Sequence, residues 1–515
     1  MPVRSPLHVI LTGLLVLIGT FLIFYITRQG IGISPDSLTY ICSANNLFNG
    51  KGLCTLSAEG DLITMTHYPP FYPALIAFGQ FMGLDALTFC KALNIIIFGL
   101  NIILFGLILY KSTEGNVWAS FLGSLFLIVS YDIVRIHLCA MTDPIFIFFA
   151  LSGFYTLTLY IDYESNSYLI ISSLLISCAL LARYVGLSLI ITAIVAIAIL
   201  TKKNLKDKIY DCLIFVIISA TPLSLWLIRN IYLTGNPFNR SFGYRDISIS
   251  SIPHALNNIL ANITSLTLLI HLSFMLTLIL LSIFIYLLLT KYDKLNEKSF
   301  YKFRTMPIVM ILFTLIYLLF VIFSLFFFDS AIYIGYRILS PIIISTIFLT
   351  IYCLSKCVDN KKLIAICSIL ILVQIFRFDV NRIYGRELVF SGSQWKKSDI
   401  INKVKMLPEH ILIYSNGYDA IYFLTGKIAF STPEELIDDK NEINVNKDSQ
   451  LESIANQFDS KGAILVWFNN IDWRGYLVSK DDLISKLNLV KLYQGGDGAI
   501  YTTKNYLNEF NGKSK

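Results

Sequence analysis

Apolar runs of about twenty residues recur along this sequence as far as about residue 376, and they limit what the chain can fold into. A run of that length, wound as a helix, crosses a hydrocarbon layer of about 30 Å. In lipid each backbone N–H and C=O must be satisfied within its own segment, so successive runs demand helices. The runs lie at about 7–26, 86–110, 117–134, 144–161, 167–182, 185–200, 209–228, 263–290, 307–328, 338–355 and 361–376, predicting about eleven spans. Composition agrees. The chain is 55% hydrophobic and 15% charged, where soluble domains are about 45–50% apolar and about 25% charged. The formal charge of +7 gives no reason to expect nucleic acid, because its lysines sit in short loops between spans.

Those loops orient the chain. One side carries Lys111, then Lys202, Lys203, Lys206 and Lys208, then Lys291, Lys294, Lys298, Lys302 and Arg304, then Lys356, Lys361 and Lys362. Such an excess marks the cytoplasmic side. The opposite ends carry Arg135, Arg183, Arg229, Arg240, Arg245 and Arg337. Lysine suits a solvated anchor, whereas arginine's planar fork suits fixed, bidentate contacts to phosphate. No small-x-small cleavage site follows the first run, since the flank reads Tyr25-Ile26-Thr27-Arg28-Gln29. It reads as an uncleaved anchor with a cytoplasmic N-terminus.

The segment 28–83 is then an external loop. Asp36 to Phe48 is predicted to form an amphipathic helix, with Leu38, Ile41, Asn45 and Phe48 on one stripe and Tyr40, Ala44 and Leu47 flanking it. Asn49-Gly50-Lys51-Gly52 stops it. Tyr68-Pro69-Pro70-Phe71-Tyr72-Pro73 opens a second segment, Ala74 to Met82, too short to span and suited to the interface.

An odd number of spans leaves residues 377–515 outside. Here the pattern becomes polar. Strands are predicted at His410–Tyr414, Ala463–Phe468, Leu489–Tyr493 and Ala499–Thr503, and helices at Leu451–Gln457 and Asp481–Leu487. Gly495-Gly496-Asp497-Gly498 reads as a hairpin turn rather than a nucleotide loop. The expected architecture is an all-α polytopic membrane domain, 1–376, followed by a small extracytoplasmic α/β domain, 377–515.

The nine cysteines form no metal or redox cluster. Cys42 and Cys54 share the external loop, and an oxidising compartment leaves a disulfide between them open. His67 and His137 each lack a second nitrogen ligand nearby, so no metal and no other cofactor is expected. Asn262-Ile263-Thr264 is a glycosylation sequon that matters only in a secretory-pathway host.

Four ionisable groups stand out: Asp36, Asp143, Arg183 and Arg337. Each has a local explanation. Asp36 follows Ser34-Pro35 in a first helical turn, where the helix dipole favours a carboxylate. Asp143 precedes Pro144 and can cap a span, and an arginine at a span end can snorkel. Yet all four come from distant segments and fall at span mouths on the same face. Ionisable groups at membrane depth are costly and mark function. A carboxylate beside arginines suits a hydroxyl attacking a sugar–phosphate carbon: the carboxylate takes the proton and the arginines hold the departing charge.

In this order the motifs resemble the GT-C glycosyltransferases, in particular the protein O-mannosyltransferase and lipid A aminoarabinose transferase branch. The residues carrying the resemblance are Asp36, Tyr68-Pro69-Pro70, Met141-Thr142-Asp143-Pro144, Arg183-Tyr184 and Tyr336-Arg337-Ile338-Leu339-Ser340-Pro341. Many members have Asp-Glu where this chain has Asp36-Ser37, and Lys where it has Tyr68. The resemblance spans the membrane part. It implies an inverting transferase that moves a sugar from a polyprenyl-phosphate donor to a lipid, glycan or protein acceptor, in a bacterial inner or plasma membrane. Asp36 would be the general base. Arg183 and Arg337 would bind the donor phosphate, and Asp143 would orient the acceptor, the sugar or an arginine. His67, Tyr68 and Tyr184 join Asp143, Arg183 and Arg337 as substrate-binding candidates. The alternative is a lipid-linked sugar flippase. That class calls for polar mid-membrane groups or repeated broken helices, and these spans are apolar at their centres.

Overall fold

The computed structural model describes residues 5–238, 305–328, 335–376, 388–437 and 442–506. The expected span at 263–290, the sequon at Asn262, the basic loop from Lys291 to Arg304, and Arg240 and Arg245 lie outside them.

The membrane part is a helical bundle. Its elements are α1 (Pro6–Ile26), α2 (Pro35–Phe48), a short hairpin of β1 (Cys54–Leu56) with β2 (Leu62–Thr64), α3 (Phe71–Phe81) and α4 (Ala86–Ser112). Then come α5 (Val117–Val129), α6 (Tyr131–Ile136), α7 (Asp143–Tyr163), α8 (Asn166–Ala182), α9 (Leu187–Leu200) and α10 (Leu205–Thr234). The last are α11 (Met306–Phe327), α12 (Tyr336–Cys357) and α13 (Asn360–Phe376). Six of these, α1, α4, α7, α10, α11 and α12, are long and apolar enough to cross a membrane, while α3, α5, α8 and α9 are shorter.

Their limits follow capping chemistry. Asp85 accepts the Leu87 and Thr88 N–H groups before α4, and Asn116 accepts those of Trp118 and Ala119 before α5. Gly235 closes α10 in the left-handed conformation. The run expected at 117–134 is broken: Ser130 turns extended, ending α5 and starting α6. Burial separates the helices by position. The apolar stretch of α7 is 67% buried and that of α1 only 22%, so α7 is central and α1 presents Ile10, Leu17 and Phe21 outward.

The outer helix α2 forms where expected but is rotated. Its buried face is Ser37, Tyr40, Ile41, Ser43 and Ala44, while Asn45 and Phe48 are exposed. Small residues allow close approach, and Tyr40 packs edge-on against Tyr68 and Tyr72, at 4.9 and 5.4 Å between ring centroids. Cys42 and Cys54 are free thiols rather than a disulfide; the Cys54 thiol faces the Lys51 carbonyl and Asn46 donates to Cys54 O at 2.9 Å.

Beyond α13 lie α14 (Asp399–Lys405), β3 (Leu412–Ser415), α15 (Tyr418–Thr425), β4 (Phe430–Ser431), α16 (Lys447–Lys461), β5 (Ala463–Phe468), α17 (Lys480–Lys486), β6 (Leu489–Gln494) and β7 (Gly498–Thr503). They build a five-stranded sheet in the order β4-β3-β5-β7-β6. β3 pairs parallel with β4 and β5, and β7 antiparallel with β5 and β6. The β6–β7 turn is the glycine-rich stretch, where Gly495 N–H donates to Gly498 O at 2.9 Å. The strands alternate as a two-residue period requires. Ile464, Val466 and Phe468 join one core with α2 and α3, while Ala463 and Leu465 face α16 and α17.

Candidate active site

The segment carrying Asp36 is held before its helix begins. Gly32 N–H donates to Leu138 O at 2.8 Å, and Gly32 O accepts from Ala140 N–H at 2.9 Å. On its other side Ile33 N–H donates to Leu388 O at 3.2 Å and Ile33 O accepts from Phe390 N–H at 2.9 Å. The segment is thus a middle strand between residues 138–140 and 388–390. Only glycine fits at position 32. An added Cβ would stand 2.5 Å from Cys139 Sγ, 3.0 Å from Leu138 O and 3.1 Å from Leu388 Cα. Ser34 and Ser37 then cap each other's backbone N–H groups, with Pro35 at the first helical position. That fixes Asp36 in the first turn of α2.

Two further breaks aim the other groups. Thr142 precedes α7, so Asp143 is its first residue. Arg183 ends α8 in an extended conformation before the tight turn Tyr184–Gly186. A side chain at Gly186 would meet Leu180 Cα at 2.6 Å, so this turn also requires a glycine. Gly335 precedes α12, putting Arg337 in the first turn of that helix.

The four groups expected to converge do so. Arg337 Nη1 donates to Asp36 Oδ2 at 2.9 Å, and Arg337 Nε to Asp143 Oδ2 at 3.3 Å. Arg183 donates to Asp143 Oδ1. Tyr68 donates its hydroxyl to Asp36 Oδ1 at 2.9 Å, and the His67 ring stacks edge-on against Tyr68 at 4.6 Å. Asp143 is 2% exposed, whereas Asp36 and Arg337 are 28% and 29% exposed. One carboxylate is therefore an internal brace and the other faces an accessible side. Asp143 is not simply a helix cap.

The electrostatics follow from these contacts. Burial by itself would raise the Asp36 carboxyl. The charge and hydrogen bond of Arg337, the Tyr68 hydroxyl and the nearby His67 outweigh it and hold Asp36 below the ordinary carboxylate range. Burial and the neighbouring Asp36 push the Tyr68 phenol well above its usual value, so it stays a hydrogen-bond donor. Two carboxylates and two guanidiniums balance formally. A phosphate entering here meets guanidiniums already paired, and competes with the carboxylates for their charge.

The Tyr184 hydroxyl donates to Thr66 O at 3.4 Å and its ring packs on Phe238. It supports the chain leading to His67. So do Arg229, which donates to Met65 O, and Asn230, which donates to Thr66 O, both at 3.4 Å.

Several positioning residues were not anticipated. Asn94 donates to His137 O at 3.0 Å and to Cys139 O at 2.7 Å, fixing the outer strand beside Gly32. His137 donates through Nδ1 to Ile133 O, which leaves Nε2 to accept from Asn101. The available signal was two asparagines seven residues apart on one face of an apolar span. The Arg135 guanidinium sits over the Tyr336 ring, 3.7 Å from its centroid, and Tyr336 precedes Arg337. Among the described residues, no group of three or more His, Cys, Asp or Glu side chains is arranged to hold a metal.

No family model matches the sequence, and no curated protein matches it. Solved structures do. ArnT from Cupriavidus metallidurans in the apo state aligns over 96% of this chain and 98% of its own, with a TM-score of 0.55 and 12% identity. The same protein bound to undecaprenyl phosphate aligns over the same shares, at 0.53 and 10%. The archaeal oligosaccharyltransferase AglB from Archaeoglobus fulgidus, in complex with an inhibitory peptide and a dolichol-phosphate, aligns over 89% of this chain and 69% of its own, at 0.50 and 11%. The chain shares its fold with these solved structures.

Proposed function

We propose that this chain, sharing its fold with GT-C glycosyltransferases, is an integral-membrane inverting glycosyltransferase that moves a sugar from a polyprenyl-phosphate donor to a hydroxyl acceptor on the extracytoplasmic face. The observation that carries the reading is the Arg337 guanidinium lying between Asp36 and Asp143, with Arg183 on the far side of Asp143. The likeness to ArnT bound to undecaprenyl phosphate and to AglB with a dolichol-phosphate supports a lipid-linked donor.

Asp36 acts as general base. It takes the proton of the acceptor hydroxyl as that oxygen attacks C1 of the sugar. The bond from C1 to the phosphate oxygen breaks on the opposite face, inverting C1, and the polyprenyl phosphate leaves with the bonding pair. Arg337 and Arg183 hold its charge. The donor phosphodiester brings one negative charge, and the departing phosphate monoester carries up to two, so the competition for Arg337 grows as the bond breaks. As phosphate takes Arg337, Asp36 loses the partner that kept it a weak base, and its proton affinity rises. Asp143, dry and braced, keeps both guanidiniums in place. Tyr68 and His67 orient the free carboxylate and line the approach of substrate. The charge work is done by side chains, with no cofactor assigned.

The lysine-rich ends lie in the cytoplasm in this reading, with the N-terminus, and the membrane is a bacterial inner or plasma membrane. Residues 1–376 form the transferase domain and residues 377–515 an extracytoplasmic α/β domain, a division supported by the five-stranded sheet. Asp36→Asn tests the reading. The variant should insert and purify like the parent yet transfer no sugar from a polyprenyl-phosphate donor. Normal transfer would remove Asp36 as base. Loss of lipid translocation with no transfer chemistry in either protein would favour a flippase.

A further inference from the structure

A cavity of about 480 Å³ lies apart from the carboxylate cluster; Asp36, Asp143, Arg183 and Arg337 do not line it. It opens where the outer end of α1 meets the start of α4 and the segment from Phe390 to Lys396. Its polar wall holds three cations, Arg28, Lys91 and Lys396. Among the described residues no carboxylate lines it. The nearby Asp85 is occupied in capping α4.

The cations are held in place. Arg28 lies over the Tyr25 ring at 4.1 Å, and Lys91 over Phe24 at 5.0 Å. Lys396 donates to Gln29 O at 2.8 Å, which leaves two of its three ammonium protons for another acceptor. The apolar wall includes Leu87, and the same end of α1 exposes Phe21 and Phe24. Lys91 and Lys396 thus make the cavity basic inside, and the Phe24 ring beneath Lys91 is exposed on the flank of α1. A soluble anion would use the cations and gain nothing from that flank.

We propose that this cavity binds the phosphate headgroup of an anionic membrane lipid, whose chains lie along α1. One feature favours a lipid over a free ion: the aromatic rings that carry two of the cations, Tyr25 and Phe24, belong to a membrane span, so a phosphate held here has acyl chains beside it. The inference is independent of the transfer chemistry. It also gives α1 a use for its low burial, since a bound lipid would cover the exposed flank. Ile31 lines the cavity and lies one residue before Gly32 in the strand leading to Asp36, so an occupied cavity would brace that strand from outside.

The test uses the full chain, delipidated in detergent and titrated with phosphatidic acid or with phosphatidylcholine of the same chains, bound lipid being read by native mass spectrometry. The parent should retain phosphatidic acid roughly tenfold or more over phosphatidylcholine, and Lys91→Gln with Lys396→Gln should remove most of that preference. Size-exclusion behaviour and thermal unfolding establish that the double variant is folded. If it is not, the single Lys396→Gln change, at an exposed position, should still weaken retention severalfold. Asp36→Asn should retain lipid like the parent. Equal retention of both lipids, or undiminished preference in the folded lysine variants, overturns the proposal. Displacement of the lipid by an equal concentration of inorganic phosphate would make the site one for free phosphate and overturn the lipid assignment.

Discussion

Arg337 donates to Asp36 at 2.9 Å across a separation of 301 residues, and the same guanidinium reaches Asp143 at 3.3 Å. Two hydrogen-bonding edges of one planar group serve two carboxylates. Lysine has the charge but not the fork. Arg337→Lys should therefore keep one contact and lose the other. Charge-assisted hydrogen bonds contribute about 1.5–3 kcal/mol each, so kcat/KM for transfer should fall roughly 10- to 100-fold, with a raised KM for the lipid-linked donor. Parent-like kinetics in Arg337→Lys would mean that the bridge does not shape the site.

Tyr68 supplies the next prediction. Its hydroxyl donates to the ionised Asp36, and that bond is one of the forces lowering the Asp36 carboxyl. A base is active when ionised, so activity falls as pH drops through its pKa. Tyr68→Phe removes a contact to the ionised form, so that pKa should rise and the acid limb of kcat/KM should move to higher pH. A hydrogen bond to a charged group contributes about 1.5–3 kcal/mol, so the shift should be about one to two pH units. The profile of kcat/KM reports the free enzyme, where the Tyr68 contact exists. An acid limb that stays put, or moves down, would contradict the assignment.

These residues were legible in the sequence because ionisable groups at span mouths are costly enough to stand out against apolar runs. The helices were legible from their apolar runs, from Pro6–Ile26 onward, and β5 and β7 from short apolar runs that are buried along nearly their whole length. What escaped depends on partners distant in sequence. The stripe on α2 gave the helix but not its buried face, because Tyr68 and Tyr72 decide which side Tyr40 turns to. The break at Ser130 carries no proline or glycine signal. The strand through Gly32 exists only as a pairing with residues 138–140 and 388–390, and a single bridge on each side leaves no local pattern. Tyr184, a candidate through the family resemblance, has its hydroxyl on Thr66 O and its ring against Phe238, contacts made with segments far from it in sequence.

Asp143 predicts a stability effect distinct from a catalytic one. It is 2% exposed and faces Arg183 and Arg337, themselves 19% and 29% exposed. Removing one partner from a buried pair costs about 3–5 kcal/mol. Because the guanidiniums are partly solvated, Asp143→Ala should lie toward the low end and lower the thermal unfolding temperature clearly. Asp143→Asn keeps the shape and one acceptor oxygen, so it should be less destabilised while still impaired in transfer. An Asp143→Ala protein as stable as the parent would mean that the two arginines need no counter-charge between them.

Gly32 tests whether the outer strand sets the position of Asp36. Its backbone is not in the left-handed region, so the constraint is space alone: Cys139 Sγ on one side, and the Leu138 carbonyl and Leu388 Cα among the atoms a Cβ would meet. Gly32→Ala must push apart backbones tied to it by hydrogen bonds, at about 1–3 kcal/mol for an overpacked site. Ser34, whose hydroxyl caps the Asp36 helix, lies two residues on and would move with the strand. Transfer activity should then fall more than stability does. Adding Cys139→Ala removes the nearest obstacle but leaves the two backbone contacts, so the double variant should recover part of the stability and only part of the activity. Full activity in Gly32→Ala would show that the strand can shift without carrying Asp36 away from Arg337, and the site would then owe its geometry to the ion pairs rather than to the clamp.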